Sequence, residues 1–259
     1  MRVFRNLFLA ALALTVFASC SSDDDDKPEL GEDTSRVQVV IRTSSIPTVR
    51  SASVEVGALN LEQLFINIAE IEFDIDDDME DRLPGNGEVY SDIELKGPFP
   101  IDLLSDKAPS GLVLATTDVP NGTYEEIEFE FDVYKGDNPE FKDLRGSTVY
   151  ASGTFTIEGE AVPFVIKSDE ELDIELEYEN EPLVLDGDKS KVFIDLNLQS
   201  MLTKLIDFAA MDFVNATREA DGSILISEDS NEKILDKFED IIEDAFEALE
   251  DQYDDDDDD

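Results

Sequence analysis

A mainly β fold, an antiparallel sandwich with a helical addition at its C-terminal end, is predicted by three observations. Apolar and polar residues alternate with period two in several separate runs, turn-forming residues stand between those runs, and long helical spacing appears only after about residue 200. The chain has 259 residues, 41% of them hydrophobic, which is enough to bury a core of one domain or two small ones. Its 65 Asp and Glu against 19 Lys and Arg give a formal charge of −46. There is one Cys, no His and no Trp. That composition excludes an internal disulfide, a Cys-based zinc site and a histidine general base. It also argues against nucleic acid as a partner, because phosphate would be repelled.

The first segment, residues 1–19, reads as an export signal. Arg2 and Arg5 precede an apolar run from Leu7 to Phe17, followed by the small residues Ala18 and Ser19. A membrane-spanning helix needs about 20 apolar residues, so this run is too short to span and long enough for a signal core. The only cysteine, Cys20, follows at once, and Phe17-Ala18-Ser19-Cys20 resembles the bacterial lipobox. Leu is more usual at the position of Phe17. The resemblance implies that Cys20 is acylated and becomes the mature N-terminus, held at a membrane by several acyl chains where one alone would hold only marginally. Ser22 and the run Asp23, Asp24, Asp25 and Asp26 resemble the export signal of surface lipoproteins of the Bacteroidetes, which implies the outer face of the outer membrane. The alternative is a solvated spacer, since an Asp run cannot pack and stays extended, but the export reading is favoured. Residues 20–35, acidic and polar with Pro28 and Gly31, read as a flexible tether.

Residues 36–200 carry the strands. Val37, Val39 and Ile41 alternate with polar residues, with Val40 out of phase. Ile127, Phe129, Phe131 and Val133 alternate with Glu126, Glu128, Glu130 and Asp132, and Leu172, Ile174, Leu176 and Tyr178 alternate with Asp173, Glu175, Glu177 and Glu179. Val192, Ile194, Leu196 and Leu198 repeat the pattern. Each run predicts a strand with one face on a core and one in water. Between Leu64 and Ile75 the phase slips: Leu64, Ile66 and Ile68 hold one face, and Ala69, Ile71, Phe73 and Ile75 the other. Both sets can reach one core only through a β-bulge near Ile68 and Ala69. Turns are marked by Pro84-Gly85-Asn86-Gly87, Pro120-Asn121-Gly122, Gly136-Asp137-Asn138-Pro139, Glu158-Gly159 and Asp186-Gly187-Asp188. Strands joined by such turns without intervening helices predict an immunoglobulin-like or transthyretin-like sandwich.

Residues 201–252 are helical in character. Leu202, Leu205, Ile206 and Ala209 have helical spacing, and Ile234, Leu235, Phe238, Ile241, Ile242, Ala245, Phe246 and Leu249 form a one-sided stripe. Asp229 and Glu232 offer a capping pair. The opposite face carries mainly Asp and Glu where a membrane-surface helix wants Lys and Arg, so packing on the sandwich is expected. The tail, residues 253–259, is a block of like charge expected to be disordered.

Three stretches carry a family resemblance. They are Gly97-Pro98-Phe99-Pro100-Ile101-Asp102-Leu103-Leu104, then Val119-Pro120-Asn121-Gly122-Thr123-Tyr124 entering Ile127-Glu128-Phe129, and Phe193-Ile194-Asp195-Leu196-Asn197. Their order resembles the domain-of-unknown-function family 4382, found in secreted bacterial and archaeal lipoproteins. The resemblance implies an exported, β-rich module over roughly residues 36–200 and supplies no activity. In the second stretch, Pro120 pre-sets φ, Gly122 permits positive φ, and the Tyr124 ring is available to the core.

Catalytic chemistry finds little support. The acids mostly alternate with core residues on solvated faces, whereas a glycosidase needs two carboxylates across a cleft, one with its pKa raised. Neither a phosphate-binding loop nor a nucleophile elbow occurs. Asp74, Asp76 and Asp78 open like an EF-hand loop, but Met79 stands where that loop needs Gly and Gly85 where it needs Glu. A looser calcium site of Asp76, Asp78 and Glu80 is the candidate, with Asp186-Gly187-Asp188 as a partial second. No other cofactor is expected. The acidic rows on the strands should repel themselves, and each other if adjacent, because residues two apart lie about 6.6 Å from one another, inside the Debye length of about 8 Å. The expectation is a lipid-anchored, non-enzymatic outer-membrane protein serving adhesion, binding or envelope structure. The alternative is a cation- or glycan-binding accessory of a nutrient-uptake system, although carbohydrate sites favour flat aromatic faces and Trp is absent.

Overall fold

A computed structural model describes residues 34–43, 54–56, 58–75, 93–178, 183–185, 187 and 191–254. In chain order the strands are β1 Thr34–Thr43, β2 Val54–Val56, β3 Leu59–Ile75, β4 Leu95–Asp102, β5 Leu112–Pro120 and β6 Gly122–Phe131. They continue as β7 Val149–Ile157, β8 Glu160–Ser168, β9 Leu172–Glu177, β10 Leu183–Leu185, β11 Lys191–Leu196 and β12 Ile224–Ile226. Helix α1 spans Leu198–Asp212 and α2 spans Glu232–Asp254. The fold is mainly β, a sandwich of two sheets with a C-terminal helix pair. The smaller sheet has the order β11-β1-β5. The larger runs β10-β6-β3-β7-β8-β12, with β2 and β4 also on β3 and β9 on β6.

Long β3 organises the larger sheet. It pairs β7 along its first half and β6 along its second, both antiparallel, while β2 and β4 pair its other side. The ladders to β4 and β6 both shift register between Ile68 and Glu70. This is the bulge that the phase slip requires, and it places Leu64, Ile66, Ile68, Ile71 and Phe73 in one core, each at most 1% exposed. Asn67 spans the gap between the ends of β6 and β7. Its backbone N–H donates to the Thr148 carbonyl (3.0 Å) and its Nδ2 to the Asp132 carbonyl (2.9 Å).

The sandwich is antiparallel in all but two pairings. β1 lies parallel to β11, and β12 lies parallel to β8. A parallel pair needs a long crossover, and here the partners are far apart in sequence, which local alternation cannot register. The segment after residue 200 therefore adds a strand as well as helices.

The helices cover the core face that the smaller sheet leaves open. Leu235, Phe238, Ile242 and Phe246 of α2 are buried, with Phe246 against Phe131 (ring centroids 4.8 Å apart) and Phe238 near Phe208 of α1 (6.3 Å). Ion pairs Lys204–Asp244 (2.8 Å) and Lys237–Asp212 (2.5 Å) tie α2 to α1. The expected Asp229–Glu232 capping pair is replaced: Asn231, at φ 60°, precedes the helix, and its carbonyl accepts the first helical N–H bonds. Its side chain joins Thr217 and Leu225. Among the described residues, no helix is long and apolar enough to cross a membrane.

Candidate functional site

The period-two rows of acids become an array once strand register is known. β6 lies between β3 and β9, and both ladders align acid with acid. Glu126 stands between Asp74 and Glu177, Glu128 between Glu72 and Glu175, and Glu130 between Glu70 and Asp173. Neighbouring strands lie about 4.8 Å apart, so nine carboxylates share one outward face, and like charges directly opposite each other destabilise a sheet. The intervening Ile71, Phe73, Ile127, Phe129, Ile174 and Leu176 point into the core, which holds the acids in this phase.

At one end of the array Lys96 reaches Glu70 (3.3 Å) and Glu94 (2.8 Å), and Lys135 reaches Asp132 (2.8 Å). These contacts hold the Glu94 and Asp132 carboxyls below their ordinary range. Away from the lysines the direction reverses. Glu126 is pushed up to about 7, by partial burial first and then by Glu175, Asp74, Glu128 and Glu177. Glu128 and Glu130 are raised for the same reasons. One carboxylate oxygen each from Glu126, Glu175 and Glu177 lies within 4.8 Å of the others. Three oxygens at such spacing are the donor type that hard cations take.

A second acidic seam lies where α2 crosses the turn before β9. Glu239 accepts a hydrogen bond from the Ser168 hydroxyl (2.7 Å), and burial raises its carboxyl. A concavity of about 680 Å³ lies elsewhere, between β4 and β5. Its carboxylates are half-buried Asp102 and exposed Glu140.

The residues singled out from sequence fall in three groups. Cys20, Ser22, Asp23, Asp24, Asp25 and Asp26 lie outside the described residues, as do Asp76, Asp78 and Glu80 of the candidate calcium site. Asp186 and Asp188 also lie outside them, while Gly187, at φ 90°, donates its N–H to the buried Ser35 hydroxyl (2.6 Å). Asp74, read with the loop that follows, belongs to β3 and faces Glu126. Glu70, Glu72 and Glu126 were not singled out as site residues. Their signal was the alternation of acids with Ile71, Phe73 and Ile127, which gives the face of a strand but not its neighbour.

The three family-like stretches serve the frame. Gly97 packs on the bulge of β3, where an added Cβ would come within 2.7 Å of the Ile68 carbonyl oxygen and 2.9 Å of that of Ala69. Asp102 Oδ1 accepts the Leu104 N–H (3.0 Å), and Leu103 and Leu104 are buried. Tyr124 is 1% exposed, donates its hydroxyl to the Pro120 carbonyl (2.8 Å) and meets Phe73 edge-on. Burial pushes its phenol up to about 12. This closure of a corner by a tyrosine bonded a few residues upstream is a sandwich device. Gly122 does not use the positive φ expected of it; it sits in β6 opposite Leu185, and the corner is held by Tyr124. Asp195 pairs both oxygens with the Arg42 guanidinium across the parallel β1–β11 ladder, Arg42 stacks 4.0 Å from the Phe193 ring, and Asn197 caps α1 through the Ser200 N–H (3.1 Å).

A family model described as a domain of unknown function, DUF4382, matches residues 56–211. The match runs from the last residue of β2 through nearly all of α1 and leaves β1, β12 and α2 outside. No curated protein and no solved structure matches the chain.

Proposed function

The chain belongs to the DUF4382 family, and from that premise we propose a lipid-anchored, non-catalytic outer-membrane module, displayed at the cell surface for adhesion, binding or envelope structure. The observation that carries the reading is where the charge lies. The acids crowd an outward sheet face, and the groove between β4 and β5 offers a single half-buried carboxylate, Asp102, without a buried partner for acid–base work among the described residues. Acylation at Cys20 would supply the anchor and residues 21–33 the reach, Thr34 and Ser35 of the expected tether belonging instead to β1. The test is fractionation of cells carrying the native chain and Cys20→Ala, with protease added to intact cells. The native chain should sediment with outer membranes and be cut from outside. A Cys20→Ala variant that still sediments with outer membranes overturns the anchor, and protection of the native chain overturns surface display.

A cation-binding accessory role is the second reading, favoured by the convergence of Glu126, Glu175 and Glu177. Calorimetric titration with Ca²⁺ separates the two. A saturable event abolished by Glu177→Gln supports it, and screening without saturation removes it.

A further inference from the structure

Both sheets end at the same groove. Among the described residues, β5 is the terminal strand of the smaller sheet and β4 pairs only with β3. Between them lies the cavity of about 680 Å³, of a size that takes a ligand rather than a few waters. The two edges differ in kind. β4 carries Pro98 and Pro100, which have no N–H to offer a new strand, so that wall presents proline rings and Phe99. From Leu112 to Val119, β5 has no proline, and among the described residues its backbone pairs only with β1. Val113, on this free edge, is 54% exposed although it is a large apolar residue.

We propose that the groove binds an extended polypeptide segment by strand addition to β5, with alternate apolar side chains entering between Val113 and Phe99 and a Lys or Arg beside Asp102. Main-chain bonds give such a site its affinity and the side-chain walls its selectivity. The basic residue follows from charge. Asp102 is half-buried, only one of its oxygens accepts a hydrogen bond among the described residues, Asp106 adds a like charge beside it, and Glu140 stands at the rim against a single lysine, Lys107. The chain as a whole carries −46, which attracts a basic partner and repels a second copy. This inference rests on the binding-module reading and names its partner. The anchor test above is independent of it, so failure here leaves that result standing.

The experiment uses the full chain and a fluorescent seven-residue peptide alternating Lys and Val, followed by anisotropy at physiological salt. Three comparison probes isolate the mechanism: heptalysine, the Glu–Val counterpart, and the Lys–Val peptide methylated on alternate backbone nitrogens. The Lys–Val peptide is expected to bind at least tenfold tighter than any of these. Val113→Glu should weaken it about tenfold and Asp102→Asn severalfold, while Val214→Glu, equally exposed but remote from the groove, should leave it unchanged. Equal binding of heptalysine or of the methylated peptide overturns the proposal, as does indifference to Val113→Glu. A neutral oligosaccharide that binds in place of the peptide and is lost with Val113→Glu overturns it in favour of a glycan. A dimer abolished by Val113→Glu overturns it in favour of a second copy.

Discussion

Replacing Glu126 by Gln should stabilise the protein at pH 8 and do little at pH 4. Glu126 has acids opposite on both sides, Asp74 and Glu177, and its carboxylate converges with those of Glu177 and of Glu175 on the diagonal. Two unit charges at the 4.8 Å limit of this cluster repel by about 0.9 kcal/mol in water, and salt at physiological strength reduces that by nearly half. Displacement of the carboxyl from 4.5 to about 7 corresponds, at 1.36 kcal/mol per tenfold step, to about 3 kcal/mol before solvent screening. Because much of the side chain is in water, about 1 kcal/mol is the effect expected to survive. For a chain of this size that is about 2–4 °C in Tm. The sign follows from the direction of displacement. The folded state binds this proton more tightly than the unfolded state, so the contribution is complete below about pH 4.5 and disappears as pH rises through 7. Calorimetry of the native chain should therefore show Tm rising as pH falls from 8 toward 4, with the Gln variant flatter across that window. A Gln variant less stable at pH 8, or equally more stable at both pH values, would refute the register argument.

Four other outcomes follow from the same structure. Raising NaCl from about 0.05 to 0.5 M, or adding millimolar Ca²⁺, should raise Tm by screening the nine-carboxylate face, and a Tm indifferent to both would contradict it. Tyr124→Phe should cost about 1–2 kcal/mol in urea unfolding, because it leaves the Pro120 carbonyl without its donor; no change in midpoint would remove the corner's role. Gly97→Ala should cost about 1–3 kcal/mol through overpacking on the bulge, and a neutral result would mean that the β3 backbone there can move. Phe238→Ala should cost about 3–5 kcal/mol; a loss well under 1 kcal/mol would show that the α2 stripe is not part of the core.

What could be read ahead of the structure was whatever has a local period. The slip between Ile68 and Ala69 demanded a bulge, and both ladders shift there. The α2 stripe and the alternation in β1, β6, β9 and β11 are of the same kind. Pairing is not local. Nothing in residues 191–196 says that they lie parallel to β1, and three residues, Ile224–Ile226, are too few to show a period of their own. The same limit hid the site. The rows on β6 and β9 were visible as rows, but the third row, Glu70, Glu72 and Asp74, joined them only through register, and the EF-hand spacing drew Asp74 toward the loop that follows. Gly122 misled differently. Its place after Pro-Asn suggested a turn glycine at positive φ, whereas Tyr124 secures that corner.

Of the stretches that mark the family resemblance, two are committed to bonds within the frame. Tyr124 lies under the corner that it closes. Asp195 and Asn197 are spent on Arg42 and on the N-terminus of α1. The third stretch is different in what it exposes. Gly97, Leu103 and Leu104 hold the bulge and the core, but Pro98, Phe99, Pro100 and Asp102 between them line the groove beside β5. A frame needs Gly97 against β3 and needs the two leucines inside; it does not need two prolines and a half-exposed phenylalanine on a free edge, where they remove donors and leave apolar surface in water. The acidic array makes the opposite compromise, placing like charges opposite one another on an outward sheet face, where they cost stability. Stability alone accounts for neither choice. The groove therefore joins one of the family-like stretches to the surface proposed for a basic segment, and the array adds to the long-range field that would draw such a segment toward it.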